Sequence, residues 1–236
     1  MFERESHTQA LPSELAPRLL WQFQLDGWRL LGFEHVAGEP ANFSPRSPHL
    51  SRVAAMVSMM AQQLDPSPIA EVQTFGHRLA QLQIWRRYRD DLPEDLPQWA
   101  ASNVETLASL EAIAPHMIAG GALLHTDLNA GNWLIRPGAA RIIDWSWYCT
   151  GAAWVERELL GPRLVAAGHS PAAAARWIDS IATGEHPSDK ARAALAAAIA
   201  GIWTHRNRQG GFRTDLAEAA LGWARHLGQH RREWPT

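Results

Sequence analysis

Three side chains with oxygen donors stand close together in one short stretch, residues 123–145, which reads Leu-Leu-His-Thr-Asp-Leu-Asn-Ala-Gly-Asn-Trp-Leu-Ile-Arg-Pro-Gly-Ala-Ala-Arg-Ile-Ile-Asp-Trp. Asp127 and Asn132 lie in a polar loop that begins at His125. Two apolar runs, 133–135 and 142–143, then flank Arg-Pro-Gly-Ala-Ala-Arg, and Asp144 follows directly. The Pro137-Gly138 pair is a turn signal between strand-like runs, so a small hairpin is predicted. Such a hairpin returns the chain to where it began, so Asp127 and Asn132 on one side meet Asp144 on the other. Hard oxygen ligands of this kind suit Mg²⁺, which keeps waters and takes one or two carboxylates plus substrate phosphates. A polar loop that only caps a hairpin, with Asp and Asn as turn formers, explains the residue types but not their spacing.

The pattern His125-x-Asp127-x-x-x-x-Asn132, followed by an apolar strand that ends in Asp144, resembles the catalytic loop and metal-binding Asp of the protein-kinase-like superfamily. The Ile143-Asp144-Trp145 ending, in place of Asp-Phe-Gly, is similar to the aminoglycoside phosphotransferase branch of small-molecule kinases. The resemblance implies an α+β protein-kinase-like fold, with a truncated N-terminal β lobe ahead of a helical C-terminal lobe that carries the catalytic hairpin. It also implies an ATP- and Mg²⁺-dependent transfer of phosphate to a hydroxyl of a small molecule. Asp127 would be the catalytic base, Asn132 and Asp144 the Mg²⁺ ligands, and His125 a structural brace of the loop. The alternative is a weak or inactive pseudokinase-like protein that binds a nucleotide or a partner. A metal-dependent hydrolase would need a water-activating cluster, and of the 11 His only His125 is near the site.

Other elements must hold this loop. Residues 18–24 read as a strand, Asp26-Gly27 as a hairpin turn, and 28–36 as the partner strand. By the resemblance this pair ends the N-terminal lobe, so residues 1–38 are its remnant and lead into a hinge. There Glu34 and Val36 would offer backbone C=O and N–H to an adenine edge; an ordinary hairpin reads equally well from the residues alone. Residues 39–236 form the helical lobe. Apolar positions at helical spacing predict helices over 50–64, 69–89 and 97–114, the second ending in the cationic run Arg86-Arg87-Tyr88-Arg89, read as a solvated helix end. Beyond Asp144 helices are predicted over 152–167, from Ser170-Pro171 to 181, over 188–204 and over 214–230. Trp145 and Trp147 are read as packing the hairpin against helices.

The composition sets bounds. The 236 residues are 46% hydrophobic, enough for one domain or two small ones with a real core. A net charge of −2 gives no general pull toward nucleic acid or anionic membrane. Cys149 is the single cysteine, so no intrachain disulfide forms and no Cys-based metal site is available. Glu3, Arg4 and Glu5 replace the apolar core of a secretory signal, and the longest apolar stretch, 193–203, is about half a membrane span. A cytoplasmic protein is expected, with a nucleotide and a small-molecule acceptor as partners and neither nucleic acid nor membrane; the oligomeric state stays open.

One half of a kinase-like site is missing. No Gly occurs before Gly27 and no Lys before Lys190, so the Gly-rich loop and the strand Lys that hold the phosphates are absent in their usual form. Glu3, Glu5 and Glu14 are the possible remnants of the helix Glu, and Arg4 and Arg18 the conceivable stand-ins for the Lys. The favoured expectation is an N-terminally shortened form of a longer kinase; a degenerate relative and a partner that supplies the missing part compete with it. Residues 145–236 carry 11 Lys and Arg against 8 Asp and Glu. That balance argues against a polycationic aminoglycoside as the acceptor. Glu156 and Glu158 are within reach of a cationic acceptor, with surface helix charges as the default reading.

Overall fold

In the computed structural model, which describes residues 2–211 and 213–229, the chain opens with a short helix α1 (Phe2–Ser6) and a 3-10 turn (His7–Ala10). Strands β1 (Leu19–Leu25), β2 (Trp28–Phe33) and β3 (Glu39–Pro40) follow. Helices α2 (Leu50–Gln63), α3 (Phe75–Leu82), α4 (Ile84–Asp90), α5 (Gln98–Ser102) and α6 (Val104–Met117) lead to strand β4 (Ala122–Leu124). Strands β5 (Trp133–Arg136) and β6 (Ala139–Ile142) are the predicted hairpin, and β7 (Cys149–Gly151) comes after it. The rest is helical: α7 (Val155–Leu159), α8 (Gly161–Ala166), α9 (Pro171–Asp179), α10 (Asp189–Arg208) and α11 (Thr214–Leu227).

Three small antiparallel sheets result. β1 pairs with β2 across Asp26-Gly27, both at positive φ (48° and 82°), the backbone a two-residue turn needs. β2 ends at Phe33, short of the strand predicted over 28–36; Glu34 N–H still donates to Arg18 C=O at 2.9 Å, and its side chain pairs with Arg141 at 2.5 Å. β5 and β6 pair from Trp133↔Ile142 to Arg136↔Ala139 around Pro137-Gly138, and β3 adds to β5 as a third strand. β4 and β7 make the third sheet, which carries the chain into and out of the loop region.

The helices are more broken than their periodicity suggests. The helix predicted over 69–89 starts only at Phe75 and is interrupted at Gln83, whose φ is +41°. The cause lies elsewhere in the chain. The buried Glu111 carboxylate accepts the backbone N–H groups of Ile84, Trp85 and Arg86 at 2.9, 2.9 and 3.2 Å, so a new helix starts there on a negative cap. The helix expected over 97–114 splits at Asn103, and the one over 152–167 splits at Leu160. Ser170 and Ser188 cap α9 and α10 by accepting from Ala173 and Ala191. His230, the expected end of the last helix, lies outside the described residues.

The core runs along α6, α10 and α11. Alanines 193–200 of α10, with Leu195 and Ile199, are buried on almost every side, the pattern of a helix enclosed by others. The first residues, which show no period in the sequence, belong to the same core. Leu15 is fully buried, its C=O accepts from Ile142 N–H, and α1 lies on the segment after Asp144. No helix among the described residues is long and apolar enough to cross a membrane.

Candidate functional site

The hairpin ladder continues one step past β6. Ile143 N–H donates to Asn132 C=O at 2.8 Å, which sets Asp144 one residue from the end of the loop. Asn132 is buried, and its Nδ2 donates to both the C=O and Oδ2 of Asp127 (2.9 and 3.2 Å). The amide oxygen of Asn132 therefore faces away from Asp127. Asn129 Nδ2 also donates to Asp127 Oδ2 at 3.3 Å, while Asn129 Oδ1 accepts Gly131 N–H and closes the turn. The other Asp127 oxygen, Oδ1, pairs with Arg163 Nη2 at 3.3 Å.

His125 holds this loop from behind. It is completely buried; its Nδ1 accepts Asp127 N–H at 3.2 Å and its Nε2 lies 3.0 Å from Ile143 C=O. A carbonyl can only accept, so the ring carries its proton on Nε2. Burial drives its pKa down to about 4, with the Ile143 carbonyl and the Asp127 and Asp144 charges opposing, so the ring is neutral at pH 7. The indole of Trp145 meets the imidazole edge-on at 4.7 Å. Glu156 fixes the backbone: Oε2 accepts His125 N–H and Oε1 accepts Thr126 N–H, both at 3.0 Å. Thr126 sits at φ +66°, and its hydroxyl donates to Trp147 C=O at 2.7 Å, a carbonyl that Arg78 also reaches at 3.1 Å. Burial raises the Glu156 pKa to about 7 against the pull of those two amides.

Asp144 is exposed and lies in the left-handed region at φ +61°, where its side chain accepts from the backbone N–H and hydroxyl of Ser146. Glu5 of α1 comes up beside it. Burial first, then the Asp144 charge, raises the Glu5 pKa, and the Ser146 hydroxyl lowers it. Arg4 is turned elsewhere: it donates to Tyr148 C=O at 2.5 Å and stacks 4.6 Å over the Tyr148 ring.

Two cavities open on these groups. One, of about 530 Å³, is lined by Asp144, Glu5, Glu34, His35, Val36 and Leu134 among others. Among the described residues its lining holds three carboxylates and no Arg or Lys. Glu34 is committed to Arg18 N–H at 3.1 Å and to Arg141, contacts that hold its pKa down, the amide contributing most. The second, of about 540 Å³, is lined by loop residues 129–131 together with Arg163, Arg213 and Asp215.

Hydrogen bonds join His125, Asp127 and Asn132, the Ile143–Asn132 backbone pair sets Asp144 one residue further on, and Glu34 and Val36 line the same cleft as Asp144. Glu156 and Glu158 correct the reading of surface helix charges. Both are buried, the first under the loop and the second paired with Arg192 at 2.9 Å. Trp145 packs as expected, but Trp147 is 41% exposed and lies under Arg78. Arg163 had no signal as a site residue, since it reaches the loop from a distant element, whereas Glu5, one of three possible remnants of the helix Glu, stands beside Asp144. Among the described residues no three His, Cys, Asp or Glu side chains gather as a metal cage. The donor set of Asn132 and Asp144 instead fits a hard cation that takes its remaining ligands from phosphate and water.

The sequence matches no protein-family model and no curated protein. Solved structures are similar in fold. An aminoglycoside phosphotransferase from Alicyclobacillus acidocaldarius superposes with a TM-score of 0.60 at 14% identity, over 98% of this chain and 82% of that one. A choline/ethanolamine kinase family protein from Mesorhizobium loti gives 0.63 at 11% identity, over 95% and 78%. The GDP and kanamycin complex of APH(2")-IIia gives 0.62 at 13%, over 98% and 80%. The chain therefore has the α+β, protein-kinase-like fold of small-molecule kinases, with a helical C-terminal part, as the catalytic-loop pattern implies.

Proposed function

We propose that this chain is an ATP-dependent phosphotransferase acting on a hydroxyl of a small molecule. One observation carries the reading: a single loop and hairpin join Asp127 and Asn132 to Asp144, and Asp144 lines a cleft whose wall also holds residues 34–36. The fold supports it, since a neighbour of the same fold holds GDP and kanamycin. In this reading the Glu34 C=O and Val36 N–H meet the edge of the base, and the chain divides near residue 38 into a β remnant and the helical lobe.

The roles follow from the contacts. The Asp127 carboxylate receives the acceptor hydroxyl and takes its proton as the phosphoryl group moves. Asn129, Asn132 and Arg163 hold the carboxylate in one orientation, the positioning on which such transfers depend. His125 and Glu156 fix the backbone of the loop. The Asn132 amide oxygen and the Asp144 carboxylate would hold Mg²⁺, which when bound neutralises phosphate charge. Among the described residues no side chain of the cleft lining takes the place of the phosphate-binding Lys, so turnover is expected to be slow by about 10²–10³ relative to a complete site.

That same acidic lining favours a second reading, a pseudokinase-like protein that binds a nucleotide and does not turn it over. ADP formation from Mg·ATP over a broad acceptor panel, together with nucleotide affinity, separates the two. Turnover that Asp127→Asn lowers by about 10²–10⁴ with nucleotide affinity retained establishes the phosphotransferase. Nucleotide binding with no ADP from any acceptor establishes the second reading, and loss of both defeats both.

A further inference from the structure

The cavity beside the catalytic loop carries two cations. Arg163, from α8, is 8% exposed: its Nη2 holds Asp127 Oδ1 at 3.3 Å, its Nη1 donates to Leu159 C=O at 3.3 Å, and its Nε is buried with no acceptor among the described residues. Arg213 lines the same cavity just ahead of α11. Among the described residues the single acidic side chain in the lining is Asp215, which faces Arg213 at 3.3 and 3.5 Å and is half exposed. Asn42 and Asn129 add neutral hydrogen-bonding groups to the wall.

Two guanidinium groups on one cavity repel each other. The effect is visible on Arg163, whose pKa falls to about 10, first through burial and then, against the pull of Asp127, through the charge of Arg213. An anion between them removes that repulsion and satisfies fork-shaped donors that match a planar or tetrahedral oxyanion. A polycation in the same place meets two positive charges and two carboxylates, Asp127 and Asp215, each already paired with an arginine.

We propose that this cavity takes the acceptor by an anionic group, a carboxylate or a phosphate monoester, held by Arg213 and Arg163, with the acceptor hydroxyl at Asp127. The substrate class is then a hydroxylated small acid rather than an aminoglycoside. This rests on the phosphotransferase reading for the hydroxyl at Asp127, but the anion site stands on the arginines alone.

The test uses the full chain and two kinds of measurement. Thermal shift and calorimetry with glycerate, glycerol 3-phosphate and kanamycin read the site without turnover. One or both anions should raise the melting temperature, with kanamycin inert, and Arg213→Gln should weaken the anion at least tenfold. Arg213 is half exposed, so this variant is expected to fold; Mg·ADP affinity, unchanged in it, checks that. Which anion binds identifies carboxylate or phosphate as the group recognised. Kanamycin binding in place of the anions, no binding of either anion, or anion binding that Arg213→Gln leaves intact would each overturn the proposal. Phosphoryl transfer to other acceptors with no anion binding leaves the phosphotransferase reading standing without it; anion binding through Arg213 with no transfer to any acceptor does the reverse.

Discussion

His125 and Glu156 are both buried under the catalytic loop, and both must stay neutral at the expense of their usual titration. Their effects on stability have opposite signs. In the fold Glu156 keeps its proton up to about pH 7, whereas the unfolded chain gives it up near 4.5. Its contribution is complete below 4.5 and is lost as pH rises to about 7. The unfolded chain protonates His125 near 6.5, but the fold does so only near 4. The His125 contribution is complete above 6.5 and is lost as pH falls to about 4. Between 4.5 and 6.5 the two slopes cancel, so this pair leaves the melting temperature nearly level. Single substitutions should expose the remaining slope. His125→Gln is expected to give a protein whose melting temperature rises on acidification from pH 7 to 4.5. Glu156→Gln is expected to give one whose melting temperature falls from pH 6.5 to 4. Melting curves across this range, read as slopes, check it; parallel profiles for the two variants would show that burial does not govern these groups.

At the level of elements, the position of Arg163 depends on how closely α8 approaches α11. A Cβ on Gly161 would lie 2.4 Å from Trp223 Cε2, and Trp223 is sealed in the core. Gly161→Ala should therefore destabilise by about 1–3 kcal/mol through overpacking. It should also lower turnover, because Arg163 is two residues along the same helix and holds Asp127. Gly222 in α11 has open space where its Cβ would be, and Gly222→Ala should stabilise by roughly 0.5–1 kcal/mol. Urea unfolding of both variants tests the contrast, and equal effects would contradict it. This dependence on neighbours also shows what the sequence makes legible. The loop spacing, the Pro137-Gly138 turn, the Asp26-Gly27 turn and the serine caps are local devices, and all were readable from residues a few positions apart. The break at Gln83 was not, because the carboxylate that restarts the helix is Glu111. Nor was the burial of Glu156, which sits in a run that alternates acidic and basic residues. Arg163 and Glu5 reach the site from α8 and α1, and no spacing within the catalytic stretch points to them.

Across the whole molecule, two cavities of similar size flank the loop-and-hairpin segment with opposite charge, loop residues 129–131 lining one and Asp144 the other. The cavity beside Asp127 is lined by two arginines, whereas the cleft beside Asp144 holds Glu5, Glu34 and Asp144. A triphosphate entering the acidic cleft brings several negative charges toward Asp144 and Glu5, and no lysine or arginine among the described lining residues offsets them. At a few ångströms each such contact opposes binding by about 1–4 kcal/mol, depending on how much water remains. The proposed divalent cation at Asn132 and Asp144 reverses the sign of the nearest contact, so binding should depend on it more steeply than in a site with its own lysine. Mg·ATP at about 100 times its dissociation constant should then raise stability by about 2.7 kcal/mol. ATP with the metal chelated should raise it hardly at all. Glu5→Gln should narrow the difference, since it removes one of the repelling carboxylates without touching Asn132 or Asp144. Thermal shift with ATP in the presence of Mg²⁺ or EDTA, on the wild type and Glu5→Gln, makes the comparison. Equal stabilisation with and without the metal in the wild type would mean that the triphosphate does not lie against Asp144, and the assignment of this cleft to the nucleotide would fail.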